Sequence, residues 1–217
     1  MIKVENIDVW GFEHAIRGMR NPMGSHHLSD SGYVPVICED EDLPEYPEYE
    51  FKIGKNDLGL MRRLYKAGTE HRKYAREIYV SMDITAPLYW WKEYDTYKVG
   101  TTANSYSTMH KIHAKEFTMD DFSCEHLDKE GKKLLHQKIC YLNKNRLKFI
   151  ETGDKQYWWN MIQSLESSYN QKRTVTMTYE NVFAMIHQRT GHKLDEWREG
   201  FVTVLRDLPY VNDIIAE

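Results

Sequence analysis

Cysteine is scarce in this chain. Its three residues, Cys38, Cys124 and Cys140, are far apart and odd in number. That excludes a disulfide framework and a paired-cysteine metal motif, and it fits a reducing compartment. Long hydrophobic runs are also missing. No apolar stretch approaches the roughly 18 residues that span a bilayer, and Met1 to Glu5 carry no signal-peptide core. These absences predict a soluble, cytoplasmic protein without a membrane partner. Positive charge is not in excess. The formal net charge is -4, which argues against a nucleic-acid partner. There is no GxGxxG and no Walker loop, so a bound nucleotide or flavin would be held by neither a Rossmann nor a P-loop device. No nucleophile elbow surrounds a serine, and Cys140 lies in an apolar helical pattern that reads as core. No catalytic residue is therefore assigned.

What the chain does have is length and aromatic side chains. Its 217 residues suffice for one substantial core. Six Trp and fifteen Tyr exceed what a core alone requires, so stacking or interface surfaces are expected. Residues 1–15 read as a strand leading into a short helix, and residues 16–35 as a loop rich in Gly, Asn and Ser. Residues 36–50, acidic and holding Pro44 and Pro47, read as a surface connector. Asn56-Asp57 can cap a helix that runs to about Ala67, with Gly68 as its stop. Glu77 to Thr85 alternates and is β-branched, which predicts a strand. Pro87 suits the first turn of a helix over about 87–97. Gly100 to Ser107 reads as a turn or irregular segment, and 117–126 as a polar loop or short helix. Helical periodicity covers 127–151, about 155–167, about 178–190 and about 194–206. Ser167 to Lys172 reads as a loop before Arg173-Thr174-Val175-Thr176-Met177. Helices dominate and strands are few, which predicts an α+β protein of one domain over residues 1–217.

Three constellations could carry chemistry. The first is Lys92, Glu93 and Lys98 beside Thr101, Thr102, Asn104, Ser105, Ser107 and Thr108. Ammonium, hydroxyl and amide donors suit a phosphate and a pyrimidine edge. The same residues also fit a capped helix end with solvated charges. The second is Gln171-Lys172-Arg173 with Glu180, Asn181, His187, Gln188 and Arg189, where Arg173 and Arg189 could clamp an anion. Taken alone, an amphipathic helix with a buried apolar side is the favoured reading. The third is His110 and His113. Their spacing allows zinc, but no third or fourth ligand is fixed, so no metal is expected.

Taken in order, these residues resemble the flavin-dependent thymidylate synthase family. Strand 78–85 leads to Ala86-Pro87. Lys92-Glu93-Tyr94 looks like the family's Arg-Gln-Trp element. Thr96-Tyr97-Lys98 stands where Arg-His-Arg would be. Thr101 or Thr102 stands at the first Ser, Asn104 at the Asn, Ser105 at the Glu, Ser107 at the second Ser and Met109 at the final Arg. Leu165-Glu166 stands at Leu-Pro, Lys172 or Arg173 at a phosphate-binding Arg, and helix 178–190 resembles the family's Asn-x-Arg helix, with Arg189 at its last Arg. Trp197 echoes a following Gln-Trp. The match runs over roughly residues 56–200. The family's flavin-contacting His is replaced near Arg76-Glu77.

The resemblance implies a small antiparallel sheet with several long helices, assembled as a homotetramer. It implies reductive methylation of dUMP to dTMP with FAD, methylenetetrahydrofolate and NADPH. Lys98, Ser107, Lys172, Arg173 and Arg189 would bind the nucleotide. Tyr97, Thr101, Thr102, Asn104 and Asn181 would lie at the flavin. The changed signature also fits a flavoenzyme that modifies C5 of a pyrimidine nucleotide differently, for instance by hydroxymethylation. It fits, further, a nucleotide-binding or assembly protein that kept the fold without the chemistry.

Overall fold

Alternating burial along one strand sets the architecture. In the computed structural model, which describes residues 2–36 and 48–216, the strands are β1 (Lys3–Trp10), β2 (Gly32–Pro35), β3 (Tyr49–Lys52), β4 (Tyr79–Pro87), β5 (Thr101–Ser105) and β6 (Asn170–Thr178). The helices are α1 (Phe12–Arg20), α2 (Lys55–Lys66), α3 (Leu88–Tyr94), α4 (Lys129–Thr152), α5 (Lys155–Gln163), α6 (Tyr179–Arg189), α7 (Val202–Arg206) and α8 (Val211–Ile215). Four strands form one sheet in the order β1-β4-β6-β5, and β2 pairs with β3 in an antiparallel hairpin. On β4, Val80, Met82, Ile84 and Ala86 are buried, while Ser81 and Asp83 present polar groups to the opposite face. Cross-strand pairs fix direction. Trp10 stacks on Tyr79 and Asn6 donates to Asp83, so β1 and β4 run antiparallel. Thr176 with Ser81 and Thr174 with Asp83 do the same for β4 and β6. The expected α+β class with a small antiparallel sheet is what the chain adopts.

The chain divides into two compact units. The first comprises Met1–Ile7, Met82–Val175 and His192–Phe201. Its α4 buries Leu135, Ile139 and Leu142 at helical spacing, and packs them with Ile112, Phe117, Phe122, Met161 and Tyr169. Asp128 caps α4 by accepting from the Gly131 N–H at 2.7 Å. Gly153 ends it with φ 68°, in the left-handed region, and Asp154 then caps α5.

The second unit comprises Asp8–Ser81, Thr176–Gly191 and Val202–Glu217. Its polar centre is Asp57, fully buried on α2. Arg20 Nε donates to Oδ1 at 2.5 Å, and the hydroxyls of Ser29 and Ser31 donate to Oδ2 at 2.7 and 2.6 Å. Burial pushes the carboxyl up, but hydrogen bonds from Ser31, Ser29 and Arg20 outweigh it and hold the group below its ordinary range. Arg72 forms a two-bond fork with Glu180 at 2.9 and 3.0 Å.

Several local expectations change. The helix cap assigned to Asn56-Asp57 is supplied from a distant segment: Asp30 accepts from the N–H groups of both residues, which frees Asp57 for Arg20. Helix α1 runs to Arg20, into the segment read as a loop. A Cβ at Gly18, inside it, would meet the Glu77 carboxylate at 2.6 Å, a contact that flexible side chain can relieve by shifting. Helix α3 stops at Tyr94 rather than near 97, closed by Thr96 Oγ1 donating to Glu93 O at 2.7 Å. Residues 101–105 are a strand, not a turn, because β6 offers them an edge. Strand β6 begins at Asn170, inside the expected loop, where Tyr106 N donates to Lys172 O and the Gln171 amide donates to Tyr106 O. The last expected helix opens as a π-helical segment, Glu196–Phe201, before α7, and α8 follows unforeseen. The connector over 36–50 lies mainly outside the described residues. Among those described, no helix is long and apolar enough to cross a membrane.

Asp57→Ala leaves the Arg20 guanidinium buried without its carboxylate. Unfolding free energy, measured by urea titration, is expected to fall by about 3–5 kcal/mol. A loss near zero would mean that the ion pair does not hold the 20–31 segment to α2.

Candidate functional site

The first unit gathers most of the candidate residues where α3 runs out. Trp90 is fully buried. It stacks on Trp197 at 4.5 Å and on Tyr94 at 5.4 Å, and meets Phe201 edge-on at 5.2 Å. This ring cluster fixes the end of α3, and the chain then turns. Tyr97 N donates to Tyr94 O at 3.0 Å, Thr101 Oγ1 donates to Tyr97 O, and Gly100 adopts φ 77°. The closed turn projects Lys98 into solvent. The Tyr97 ring lies 6.2 Å from that of Trp197 and is held against the cluster.

Strand β5 carries Thr102 and Asn104, both exposed. Among the described residues, the side chains of Lys98, Thr102 and Asn104 form no hydrogen bond or ion pair. Ser107 is half-buried, and its hydroxyl accepts from the His110 N–H at 3.0 Å. That bond leaves the Ser107 proton available to donate.

The two basic residues of β6 are already partnered. Arg173 Nη1 donates to Asp95 at 2.8 Å and Nε to Gln171 Oε1 at 3.0 Å, and the guanidinium lies 4.2 Å from the Trp91 ring centre. Among the described residues Nη2 and the second N–H of Nη1 have no partner. Lys172 pairs with Asp83 at 3.0 Å but stays half-exposed. Asp83 also accepts from Thr174 at 2.6 Å and Asn6 at 2.9 Å. Hydrogen bonds from Thr174, Asn6 and Lys172 hold its carboxyl down to about 2. Asp83 in turn raises the Lys172 ammonium above its ordinary value.

Asn181 and Arg189 belong to the second unit, on α6. Asn181 Oδ1 accepts from the Thr178 hydroxyl at 2.8 Å, and the two form a capping box. Arg189 lies in the last turn of α6, about 12 Å further along the axis. His110 is exposed, and His113 packs edge-on to Phe149 at 4.9 Å. Among the described residues, no group of three or more His, Cys, Asp or Glu is arranged around a metal.

The donor set in the first unit combines an ammonium, hydroxyls, an amide and one free guanidinium nitrogen. Such a set recognises anionic or oxygen-rich ligands. No protein-family model matches the sequence, and no curated protein matches it. Solved structures do. Two crystal structures of the flavin-dependent thymidylate synthase ThyX from Helicobacter pylori, each complexed with FAD and dUMP, match with a TM-score of 0.68 and 14% identity. The matches cover 99% and 100% of this chain, and 98% of each of those chains. The chain has the fold of a flavin-dependent thymidylate synthase.

Sequence reasoning found the basic residues and missed their counter-charges. Asp83 was legible in principle, as a carboxylate on the polar face of an alternating strand. Asp95 was not, because its pairing with Arg173 depends on where β6 passes α3.

Because Asp83 is held ionised by the fold, its contribution to stability is complete above the unfolded value of about 3.9. It is lost as pH falls through the folded value near 2. Carboxyl NMR should find Asp83 titrating near 2, and a midpoint near 4 would contradict the Thr174–Asn6–Lys172 arrangement. Arg173→Ala removes two hydrogen bonds and a stacked cation, and is expected to cost about 1–3 kcal/mol in thermal or urea unfolding. An unchanged melting curve would mean that Arg173 is not anchored as described.

Proposed function

We propose that the chain is a flavin-dependent enzyme acting on a pyrimidine nucleotide, with dUMP as substrate and reductive methylation to dTMP as the reaction. The observation that carries this reading is the near full-length likeness to two structures of one thymidylate synthase complexed with FAD and dUMP. We take residues 1–217 as one functional domain of that fold, working in the cytoplasm as a homotetramer. Methylenetetrahydrofolate and NADPH are its co-substrates.

The donors present fit the two ligands. Thr101, Thr102, Asn104 and Asn181 would hold FAD, with Tyr97 beside it. When bound and reduced, FAD supplies a hydride. Lys98 and Arg189 would bind dUMP through its anionic groups, and the Ser107 hydroxyl, already accepting from His110, would donate to it. For the phosphate, Arg173 is the better oriented of two candidates. Asp95, Gln171 and Trp91 lock its guanidinium and leave Nη2 for a phosphate oxygen, so little side-chain freedom is lost on binding. Lys172, on the opposite face of β6 beside Asp83 and half-exposed, is the alternative phosphate ligand.

One observation favours a second reading within the same class. Tyr97 is the residue at the signature's His, and its ring is packed toward Trp197. A site so altered suits a different modification at C5, such as hydroxymethylation.

The visible absorption spectrum of the purified protein, with added FAD and then dUMP, tests the proposal. Bound oxidised flavin whose bands shift on adding dUMP is the expected result, and product analysis then separates dTMP from another C5-modified nucleotide. A colourless protein at saturating FAD refutes the flavoenzyme reading. If that protein still binds dUMP, the chain is a nucleotide-binding protein of this fold. Lys98→Ala and Arg189→Ala should each weaken dUMP binding about tenfold or more. Unchanged affinity would remove those residues from the site.

A further inference from the structure

The second unit contains a pocket of about 730 Å³ at the start of α1, remote in sequence from every residue assigned to flavin or nucleotide. Its walls are aromatic, and each ring is held by a neighbour. Trp10, 43% exposed, is backed by Tyr79 in a stack at 5.8 Å. Tyr33, 62% exposed, meets Phe51 edge-on at 5.3 Å. Tyr210 meets Phe12 edge-on at 5.5 Å, and its hydroxyl accepts from the Ile53 N–H at 3.2 Å. Rings held in this way lose less side-chain freedom on binding.

The formally charged side chains of the lining are acidic. Glu13, Glu50 and Asp213 line the pocket together with His14, which contacts Arg17, and among the described residues no lysine or arginine lines it. Glu50 and Asp213 have exposed cationic partners outside the lining, Lys52 at 2.7 Å and Arg62 at 3.7 Å. Among the described residues, Glu13 accepts from the Tyr33 hydroxyl alone, at 3.2 Å. It lies in the first turn of α1, where it offsets the positive end of the helix. Close approach of the backbone shapes the pocket floor. Gly11 has φ 99°, and a Cβ on it would lie 2.1 Å from the Glu77 carbonyl oxygen, so the turn from Trp10 into Phe12 admits only glycine.

Aromatic faces with a carboxylate among them bind organic cations: the ring quadrupoles attract the charge and the apolar walls take the alkyl groups. We propose that this pocket is a binding site for a small organic cation with an alkylated ammonium head. The inference is independent of the flavin reading, since it uses no residue of that site.

Calorimetric titration of the full-length protein with choline tests it, alongside 3,3-dimethyl-1-butanol, the neutral isostere of the same shape. Saturable choline binding, with the isostere at least about tenfold weaker, is expected. Trp10→Ala and Tyr33→Ala should each weaken choline binding about tenfold. Glu13→Gln, which keeps the shape of the side chain, should weaken it by a smaller factor in a protein with an unchanged melting curve. Equal binding of the isostere, no saturable binding of choline, or full affinity in both the Tyr33→Ala and Glu13→Gln proteins would overturn the proposal.

Discussion

Trp90 has no solvent exposure, and its ring is sandwiched with Trp197 and Tyr94 while Phe201 closes one edge. Rings of that size bury a large area at fixed mutual angles, so the cluster admits little sliding. The direction in which α3 ends follows from it. So does the position of the turn that carries Lys98, because Tyr97 leans on Trp197 and Thr101 closes back onto Tyr97. Trp91, the next residue, extends the same constraint to β6 by lying under the Arg173 guanidinium. The candidate ligand donors therefore depend on apolar packing behind them. The π-helical segment has a place in this arrangement: the wider turn over Glu196–Phe201 brings both Trp197 and Phe201 to Trp90 while Glu196 reaches the Tyr89 hydroxyl.

Charge in this chain is distributed in compensated groups. Arg20 faces Asp57, Arg72 faces Glu180, Lys172 faces Asp83 and Arg173 faces Asp95. The buried pair is structural, since neither charge could remain there alone. The more exposed pairs on β6 have a different consequence. A carboxylate beside each cation fixes its direction and moderates its charge. The polar face of β4 and β6, with Ser81, Asp83, Thr174 and Thr176 in register, is a hydrogen-bonded surface in its own right.

Periodicity made the long elements legible. Leu135, Ile139 and Leu142 recur at helical spacing, Asp128 and Gly153 bracket α4, and Glu77 to Thr85 alternates, so these elements fall close to where the pattern puts them. Short elements were less legible, because their identity depends on a partner. Thr101 to Ser105 is polar and small and becomes a strand only beside β6. Asn170 to Lys172 pairs for the same reason. Asp30 illustrates the limit at the level of a single contact: an N-cap supplied by a residue 26 positions upstream leaves no local signal.

The sequence by itself determined the class of fold, the strand and helices around the thymidylate synthase-like signature, and the supply of cations and hydroxyls within it. These follow from hydrophobic period, turn residues and the order of residue types, all of which are local. Only the tertiary structure decided which donors stay available. Among the described residues Lys98, Thr102 and Asn104 are uncommitted and Arg173 is locked with Nη2 to spare, while Lys172 shares Asp83 and Asn181 is spent in part on capping α6. It also decided that Trp10, Tyr33 and Tyr210 wall a common pocket. The reason is the same in each case: a side chain's partners are set by which segments the packed core brings within a few ångströms, and that proximity has no signature in local sequence.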